Sequence, residues 1–418
     1  MTQSRTLGID FGTSNSAAGY RQSGALKLVE IEPDNTTFPT SVFFDFDSRA
    51  TLFGTPANAA LIAGEYGRFM RALKSVLGTG LMREKRRFMD EQLDFIDIIG
   101  RFLREIKQRA EAESGLRFST ALSGRPVHFH SDSPAKDQQA LADLTDCYKA
   151  AGFSDVRFML EPEAAALANH RHLAAGSTGL IVDIGGGTSD FSLFNARSGG
   201  GVEIIASHGV RIGGTDFDRQ LSIDHVMPLL GKGSQIRNAF GPETLPAPNA
   251  IFHNLATWEK IPFLYTAESR REAAMLHRQA AERTLLARLS TVLEHELGHD
   301  IAFAVERGKI EANRPGLDAR IDLGILEPRL SAPLSAAQAE ASLQALTRRI
   351  ETCATETLAL AGLRADQVDS LIFVGGSSLM HGVETAMQRL FSTASPHRTS
   401  AFTAVVEGLA LAADGAFS

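Results

Sequence analysis

Two segments of the sequence combine an apolar strand, an aspartate, glycine and small polar side chains, which together suit a phosphate-binding turn. The more pronounced is Leu180–Phe194, where two apolar runs flank Asp183, three glycines at 185–187 and Asp190. Glycine lets backbone N–H groups approach a phosphate closely because no Cβ stands in the way. The first twenty residues repeat this order in Leu7–Ser16. Two such turns predict a duplicated fold that holds one anion between its halves.

The two turns supply the parts that binding of a nucleoside triphosphate requires. Asp10 and Asp183 end their apolar strands, where carboxylates can hold a hydrated divalent cation. Phosphoryl transfer then needs charge neutralisation and a positioned nucleophile rather than much covalent chemistry. Two ordinary hairpin turns are the alternative, disfavoured because the pattern is doubled and further glycine turns follow. The residues expected to surround the phosphate chain are Gly12, Thr13, Ser14 and Asn15 in the first turn, and Gly185, Gly186, Gly187 and Thr188 in the second.

Bulk properties restrict the class of protein. A chain of 418 residues is too long for one small core and predicts two or three domains. Its formal net charge of -7 argues against a general nucleic-acid-binding surface. No apolar run approaches the roughly 20 residues that span a bilayer, and the N-terminus lacks the layout of a signal peptide. Two cysteines are too few for a disulfide framework, so we expect a cytoplasmic protein without nucleic-acid or membrane partners.

Apolar periodicity and turn residues predict an alternation of strands and helices. The order of strands followed by helix, strand and helix is expected to recur after residue 179. Strands are predicted at 1–20, 26–46, 119–129, 156–160, 180–194, 202–206, 316–332 and 368–374. Helices are predicted at 56–77, 82–114, 134–152, 163–173, 335–362 and 403–412, with a mostly helical section at about 218–313 and a loop at 231–249.

Six segments together carry a resemblance to a known family. In order and spacing they resemble the nucleotide-binding domain of the Hsp70 chaperones, within the actin, sugar-kinase and Hsp70 superfamily, and especially short Hsp70-like proteins of the YegD type. The match extends over nearly the whole chain. The segments are Ile9–Ser16, Glu161–Ala166, Asp183–Asp190, Gly213–Asp218, Glu306–Lys309 and Val374–Ser377.

The resemblance implies an α/β, two-lobed actin/Hsp70-like ATPase fold with duplicated RNase-H-like sheets around a nucleotide cleft. Lobe I is expected at 1–178 and lobe II at 179–418. Within lobe II, the helical subdomain is expected at about 218–313 and the adenosine-side turn at 375–378, ahead of the C-terminal helix. The nucleotide is expected to be ATP or ADP with Mg²⁺.

The resemblance also implies roles for individual side chains. Asp10 and Asp183 would hold the hydrated magnesium, with Asp190 as a further candidate ligand. Lys74 matches the family lysine that reaches the terminal phosphate, and Glu161 the glutamate near the attacking water. Thr188 and Asp183 complete the expected catalytic set, and Asp183 could also orient the attacking water. Ribose contacts are expected from Glu306 and Lys309. The other expected nucleotide-binding residues are Gly213, Gly214, Gly375, Gly376 and Ser377.

Structural roles are open for several of these residues. Lys74 could be a surface lysine on a helix, and Glu161 could begin a helix ahead of Pro162, a role compatible with catalysis. Glu306 and Lys309 could belong to a solvated helix face.

The chain departs from the family pattern at the base. The family places an arginine on each face of the adenine, whereas this chain has Ile310 and Leu379 at those positions. Stacking on a base contributes roughly 1–3 kcal/mol at comparable aromatic sites, so we expect adenine to be held more weakly or differently. The sequence also ends at Ser418, so we expect no peptide-binding domain.

The segment His295–His299 matches a different motif, H-E-x-x-H. On one helix, two histidines four residues apart can bind zinc with the intervening glutamate as general base. No third ligand stands at the spacing of the longer zinc-protease pattern. An exposed helix face is therefore the preferred interpretation.

These features predict an Hsp70-like ATP-binding protein with slow, magnesium-dependent ATPase activity that drives a conformational switch. A protein client or co-chaperone is the candidate partner. Three alternatives stay open at this point: a small-molecule kinase of the same superfamily, a filament-forming actin relative, and a nucleotide sensor without catalysis.

Overall fold

The structure, a computed structural model, describes residues 6–130, 133–169, 174–198, 201–237, 243–314, 316–398 and 402–417. Its strands are β1 Thr6–Phe11, β2 Asn15–Gln22, β3 Ala25–Leu28, β4 Thr37–Pro39, β5 Ser41–Asp45, β6 Thr51–Phe53, β7 Gly67–Arg71, β8 Arg86–Phe88, β9 Glu91–Leu93, β10 Thr120–Arg125, β11 Asp155–Leu160, β12 Thr178–Ile184, β13 Ser189–Ala196, β14 Val202–Val210, β15 Gln235–Arg237, β16 Thr244–Pro246, β17 Arg320–Asp322, β18 Ser331–Pro333, β19 Ser370–Val374 and β20 Ser395–His397.

Its helices are α1 Thr55–Ile62, α2 Phe95–Ser114, α3 Pro134–Ala150, α4 Glu161–Ala168, α5 Gly214–Leu221, α6 Asn249–Leu255, α7 Ala267–Gln279, α8 Arg283–Glu294, α9 Gly298–Ala312, α10 Ala336–Ala361, α11 His381–Leu390 and α12 Ala404–Ala416. Within the ranges that the structure describes, no helix combines the length and apolar character needed to cross a membrane.

Two sheets share one topology, which confirms the predicted duplication. The first runs in the order β11-β10-β1-β2-β3, with β4 added beside β2, and the second in the order β14-β13-β12-β19-β20. In each sheet the first strand pairs antiparallel with the next strand of its hairpin and parallel with a strand that returns much later. A fifth strand then adds in parallel at the far edge. Numbered from its own first strand, each sheet reads 3-2-1-4-5.

Side-chain alternation along β1 explains how the first sheet is covered on both faces. Leu7, Ile9 and Phe11 belong to a fully buried core with residues of α2 and α3. Gly8 faces the other way, and a Cβ there would lie 2.8 Å from the backbone nitrogen of Ala410 in α12. Because successive side chains of a strand point to opposite faces, Asp10 shares the α12 side with Gly8.

Helices α4 and α12 form the layer between the two sheets. Helix α12 packs on β1, β2 and β10, whereas α4 packs on β12, β14 and β19. The core beside them combines Ile181 and Val374 of the second sheet with Ala164 and Leu409 of the two helices. The helices cross at Gly408, where a Cβ would lie 1.8 Å from the carbonyl oxygen of Ala164.

The chain divides into two compact units. The first comprises Met1–Arg211, Glu351–Leu379 and Met387–Ser418, and the second comprises Ile212–Ile350 and Met380–Ala386. Both five-stranded sheets belong to the first unit, and the helices α6 to α9 of the expected helical subdomain belong to the second. The division into lobes at 178/179 stays a prediction.

The predicted helix at 56–77 is wrong in its second half. Helix α1 ends at Ile62, Gly64 follows with a positive φ of 69°, and β7 then pairs with β5. Gly67 is needed there because a Cβ would lie 2.3 Å from the carbonyl oxygen of Phe44. Helical spacing of apolar residues did not reveal these breaks.

The helix predicted from residue 82 also begins later than expected. Strands β8 and β9 form a hairpin whose turn contains Met89 at a φ of 52°. A reciprocal capping box between Asp94 and Asp97 then starts α2 at Phe95. The apolar residues Phe88 and Leu93, which fit the helical period, are buried from the hairpin instead.

Two further predictions differ in detail. The helix predicted at 163–173 begins at Glu161, and its part at 170–173 lies outside the described residues. The loop predicted at 231–249 contains the short hairpin of β15 and β16, with residues 238–242 outside the described ranges. Residues 1–5 of the first predicted strand also lie outside the described residues.

The close crossing of α4 and α12 gives a stability test with an internal control. We expect Gly408→Ala to lower the free energy of unfolding by about 1–3 kcal/mol, because the added methyl group overlaps the backbone of α4. Gly415→Ala lies in the same helix, where a Cβ meets nothing within 4 Å, and is expected to be neutral or stabilising by up to about 1 kcal/mol. Urea unfolding of both variants measures the difference, and equal stabilities would contradict the close packing.

Candidate nucleotide site

The two predicted phosphate turns have the same length and position in their hairpins. Residues 12–15 and 185–188 lie between the last paired positions of β1 with β2 and of β12 with β13. A Cβ on Gly12 would lie 2.1 Å from the carbonyl oxygen at the end of its own turn. In the second turn, the Gly185 N–H donates to the carbonyl oxygen of Thr188 at 3.0 Å. Both turns are therefore tight, because the first residue of each lies close to the carbonyl oxygen of the last.

The turns also contact each other. A Cβ on Gly186 would lie 2.1 Å from the hydroxyl oxygen of Ser14. A side chain at position 186 would force the Ser14 hydroxyl to move. The structure thereby brings together the turns at 12–15 and 185–188, which are far apart in the sequence.

Lys74 and Glu161 form an ion pair beside these turns. The Lys74 Nζ lies 2.6 Å from Glu161 Oε1, and the two side chains are only 11% and 13% exposed. Glu161 is the first residue of α4 and follows β11 directly, so it stands at the carboxyl edge of the parallel strands. Glu161 therefore both begins a helix and forms the ion pair. The alternative of a surface lysine at position 74 is wrong, because this side chain is largely buried.

Asp143 of α3 holds the segment that carries Lys74 by a hydrogen bond. This lysine lies on a 3-10 turn, Leu73–Val76, anchored by buried Leu73 and Leu77. The following Gly78 N–H donates to the carboxylate of Asp143 at 3.0 Å.

Sequence reasoning missed Asp143. The signal was present, because Asp143 lies among Ala140, Leu144 and Cys147 on the buried face of α3. A carboxylate on an apolar helix face indicates a specific partner.

Burial and mutual repulsion govern the acids of the site. Burial and then the nearby Glu161 raise the pKa of Asp10 to about 7, although Lys74 opposes the shift. Burial, followed by Glu161 and Asp190, raises the pKa of Asp183 well above its usual range. Burial alone would lower the pKa of Lys74, but the carboxylates of Glu161 and Asp10 raise it overall. The lysine therefore stays charged and only partly offsets the acids.

Asp183 and Asp190 are direct cross-strand neighbours in the hairpin of β12 and β13. Like charges opposite each other in a sheet repel, and burial raises the pKa of Asp190 to about 6, despite the hydrogen bond with Thr188. The two aspartates line one pocket with Glu161, the segment Pro126–Val127, Pro162, Ile181 and Ser192.

This donor set fits a hydrated divalent cation. Asp10, Asp183 and Asp190 offer the hard oxygen ligands that Mg²⁺ takes, in a site where one lysine faces an excess of negative charge. Among the described residues, no three acidic, histidine or cysteine side chains converge as a directly ligating group. Magnesium commonly keeps several waters and one or two carboxylates, so the residues suit a cation held largely through water.

The turn after β19 lies beside Asp183. Gly375 has a φ of 77°, and a Cβ there would lie 2.4 Å from the carbonyl oxygen of Ile184 and 3.2 Å from Asp183 Oδ1. The hydroxyl of Ser378 donates to the Gly375 carbonyl at 2.7 Å and fixes the turn. Gly376 is exposed, and Ser377 is half-buried beside it.

The remaining predicted residues lie in the second unit. Lys309 is buried, and its Nζ lies 2.8 Å from Asp218 Oδ1 and donates to the Gly214 carbonyl at 3.4 Å. Helix α9 is thereby fastened to α5, which begins after Gly213. A solvated position for Lys309 is therefore wrong, whereas Glu306 is half-buried. A contact of either side chain with ribose stays a prediction.

The H-E-x-x-H segment does not lie on one helix. Helix α8 ends at Glu294, Glu296 has a φ of 57°, and α9 begins only at Gly298. His299 is 7% exposed and packs against Trp258 at a ring separation of 4.6 Å. The expected exposed helix face is wrong because residues 295–297 separate the two helices and His299 is buried, although His295 and Glu296 are exposed. The same break removes the i, i+4 geometry that zinc binding requires.

Comparison with known proteins agrees with the fold. The family model described as Hsp70 protein matches residues 6–239, which is more than half of the chain. The chain belongs to the Hsp70 family. Among relatives, it is similar to the chaperone protein DnaK of Endomicrobium trichonymphae, with 30% identity over 246 residues that cover 56% of this chain and 37% of the relative.

Two other Hsp70 family members show the extent of the similarity. The DnaK of Elusimicrobium minutum is 26% identical over 385 residues, covering 90% of this chain and 52% of that protein. The chaperone protein HscA homolog of Rickettsia felis is 28% identical over 223 residues, covering 51% and 33%. The chain thus spans about a third to a half of the length of the curated relatives it matches.

The charge balance of this Hsp70-family site predicts a pH-dependent effect of Lys74. We expect Lys74→Met to lower the free energy of unfolding of the nucleotide-free protein by about 3 kcal/mol at pH 8, because it leaves buried carboxylates without their cation. The loss should be smaller at pH 6. Asp10, whose pKa is raised from its ordinary 3.8 to about 7, keeps its proton at pH 6 in the folded state, so Lys74 then has one fewer carboxylate to neutralise. Because the folded-state pKa is the higher one, the contribution of Asp10 to stability falls as the pH rises toward about 7.

Urea unfolding at the two pH values measures this effect. Glu161→Gln added to Lys74→Met should restore part of the stability at pH 8, because it removes the partner charge. Lys85→Met, at an exposed lysine, is the control and should change little at either pH. Equal losses from Lys74→Met at pH 6 and pH 8 would contradict the charge balance described here.

Proposed function

We propose that this Hsp70-family protein binds Mg·ATP at the two facing turns, hydrolyses it slowly and uses the nucleotide as a conformational switch. The proposal depends chiefly on one observation: the turns of two topologically identical hairpins contact each other beside Lys74, Glu161 and Asp183. Backbone N–H groups, one ammonium and several carboxylates would then surround the bound phosphates. Phosphoryl transfer requires this combination of positioning and charge neutralisation.

Each side chain has a role that its position supports. Lys74 would contact the terminal phosphate, since its charge is retained in the buried site. Glu161, which already accepts from Lys74, would orient the attacking water and accept its proton. Positioned acid–base groups of this kind contribute about 10²–10⁴-fold to a rate.

Asp10, Asp183 and Asp190 would hold the hydrated cation. When bound, magnesium would supply charge neutralisation on the phosphate oxygens. Below about pH 7, a proton on Asp10 would compete with the cation, and the raised pKa of Asp183 acts in the same direction. We therefore expect the affinity for Mg·ATP to fall as the pH is lowered from 8 to 6.

Slow turnover and a protein partner form part of the proposal. The relatives are named as chaperones, which supports a client or co-chaperone as the molecule that responds to the nucleotide state. A cytoplasmic location is supported by the two cysteines, Cys147 and Cys353, which are buried free thiols as expected in a reducing compartment.

The proposed reaction is tested by measuring ATP binding and phosphate release on the same preparations. We expect the wild type to bind Mg·ATP and release phosphate, and Glu161→Gln to retain binding while its rate falls at least about 100-fold. Glu163→Gln, two residues along the same helix, is the matched control and should keep the wild-type rate. Asp183→Ala should weaken magnesium-dependent binding.

The outcomes separate the proposal from other functions. Absence of binding to ATP and ADP at millimolar concentration with magnesium would contradict it. Phosphate transfer to a small-molecule acceptor without release to water would indicate a kinase, and binding with no turnover would indicate a sensor. ATP-dependent sedimentation would indicate a filament.

A further inference from the structure

Phe402 exposes an aromatic ring next to the turn at Gly375–Gly376. The residue lies just before α12, and 61% of its surface is exposed. Its ring rests on Gly376, where a Cβ would lie 2.7 Å from the ring atom Cε1. Exposure of this much apolar surface is unfavourable in water. The ring is thus supported on glycine while much of its surface stays open to a ligand.

The position of this ring relative to Asp183 indicates what it can contact. Strand β19 pairs directly with β12, and adjacent strands lie about 4.8 Å apart. Gly375, at the end of β19, would place a Cβ 3.2 Å from Asp183 Oδ1. Ligands of open α/β sheets lie outside the carboxyl ends of the strands. A ligand with its phosphates at the turn of β12 can therefore extend over Gly375 and Gly376 toward Phe402.

We propose that Phe402 stacks on the base of the bound nucleotide and makes the site selective for purines. This inference rests on the proposed nucleotide binding. The phosphates and ribose of a nucleotide are polar, and the base is the flat, π-bearing part that an exposed phenyl ring suits.

A phenyl ring has no hydrogen-bonding group with which to distinguish adenine from guanine. A purine offers more stacking surface than a pyrimidine. The expected order of affinity is therefore ATP similar to GTP, and both tighter than CTP and UTP.

Equilibrium binding of ATP, GTP and inorganic tripolyphosphate, each with magnesium, tests the assignment. Phe402→Ala is expected to weaken ATP and GTP about ten-fold and to leave tripolyphosphate unchanged. Phe402→Trp should retain the wild-type affinity for ATP, and its added fluorescence should be quenched by the base. Phe263→Ala, at another exposed phenylalanine in the second unit, is the matched control and should bind all three ligands normally.

Each contrary outcome has a defined meaning. Unchanged ATP affinity in Phe402→Ala, or an equal loss of tripolyphosphate, would overturn the stacking role, and so would an unquenched Phe402→Trp. Wild-type protein that binds tripolyphosphate as tightly as ATP would also overturn it but leave the phosphate site intact. Binding of neither ligand would overturn the proposed function together with this inference.

Discussion

An excess of buried negative charge around one lysine is the constraint on which the site depends. Lys74 and Glu161 are paired at 2.6 Å, yet Asp10 and Asp183 add further carboxylates whose pKa values burial raises. Water cannot solvate these groups fully, and one ammonium cannot balance them. The arrangement costs stability without a ligand, which is understandable where a cation and an anionic substrate complete it. Both aspartates occupy the same position in their own hairpins, so duplication of the sheet creates the charge cluster.

The backbone has to satisfy a second constraint, the close approach of the two halves. Gly408 lets α12 cross α4 almost at backbone contact, and Gly186 lets the second turn meet Ser14. A side chain at position 408 would overlap the backbone of α4, and one at position 186 would displace the Ser14 hydroxyl. Helix packing and the phosphate site are therefore linked, because the layer of α4 and α12 determines how the two carboxyl edges face each other within the first unit.

The sequence predicted the doubled hairpins and the acids at their ends, because glycine turns and strand alternation are local signals. It failed where long-range partners decide the local structure. Residues 67–71 form a strand because β5 lies beside them, and the buried pairing of Lys74 follows from that placement. The break at Glu296 and the burial of His299 were hidden for the same reason, since Tyr265 and Trp258 contact this bend from distant positions. The exposed ring of Phe402 could not be recognised before its support on Gly376 was known.

Calorimetric titration of the protein with Mg·ATP at pH 7, in two buffers of different ionisation enthalpy, tests the central claim most directly. One site shared by both turns predicts one nucleotide per chain. Because the pKa values of Asp10 and Asp190 lie at about 7 and about 6, cation binding should also release protons to the buffer. Two nucleotides per chain, one for each turn, would contradict a shared site, as would the absence of any magnesium-dependent binding.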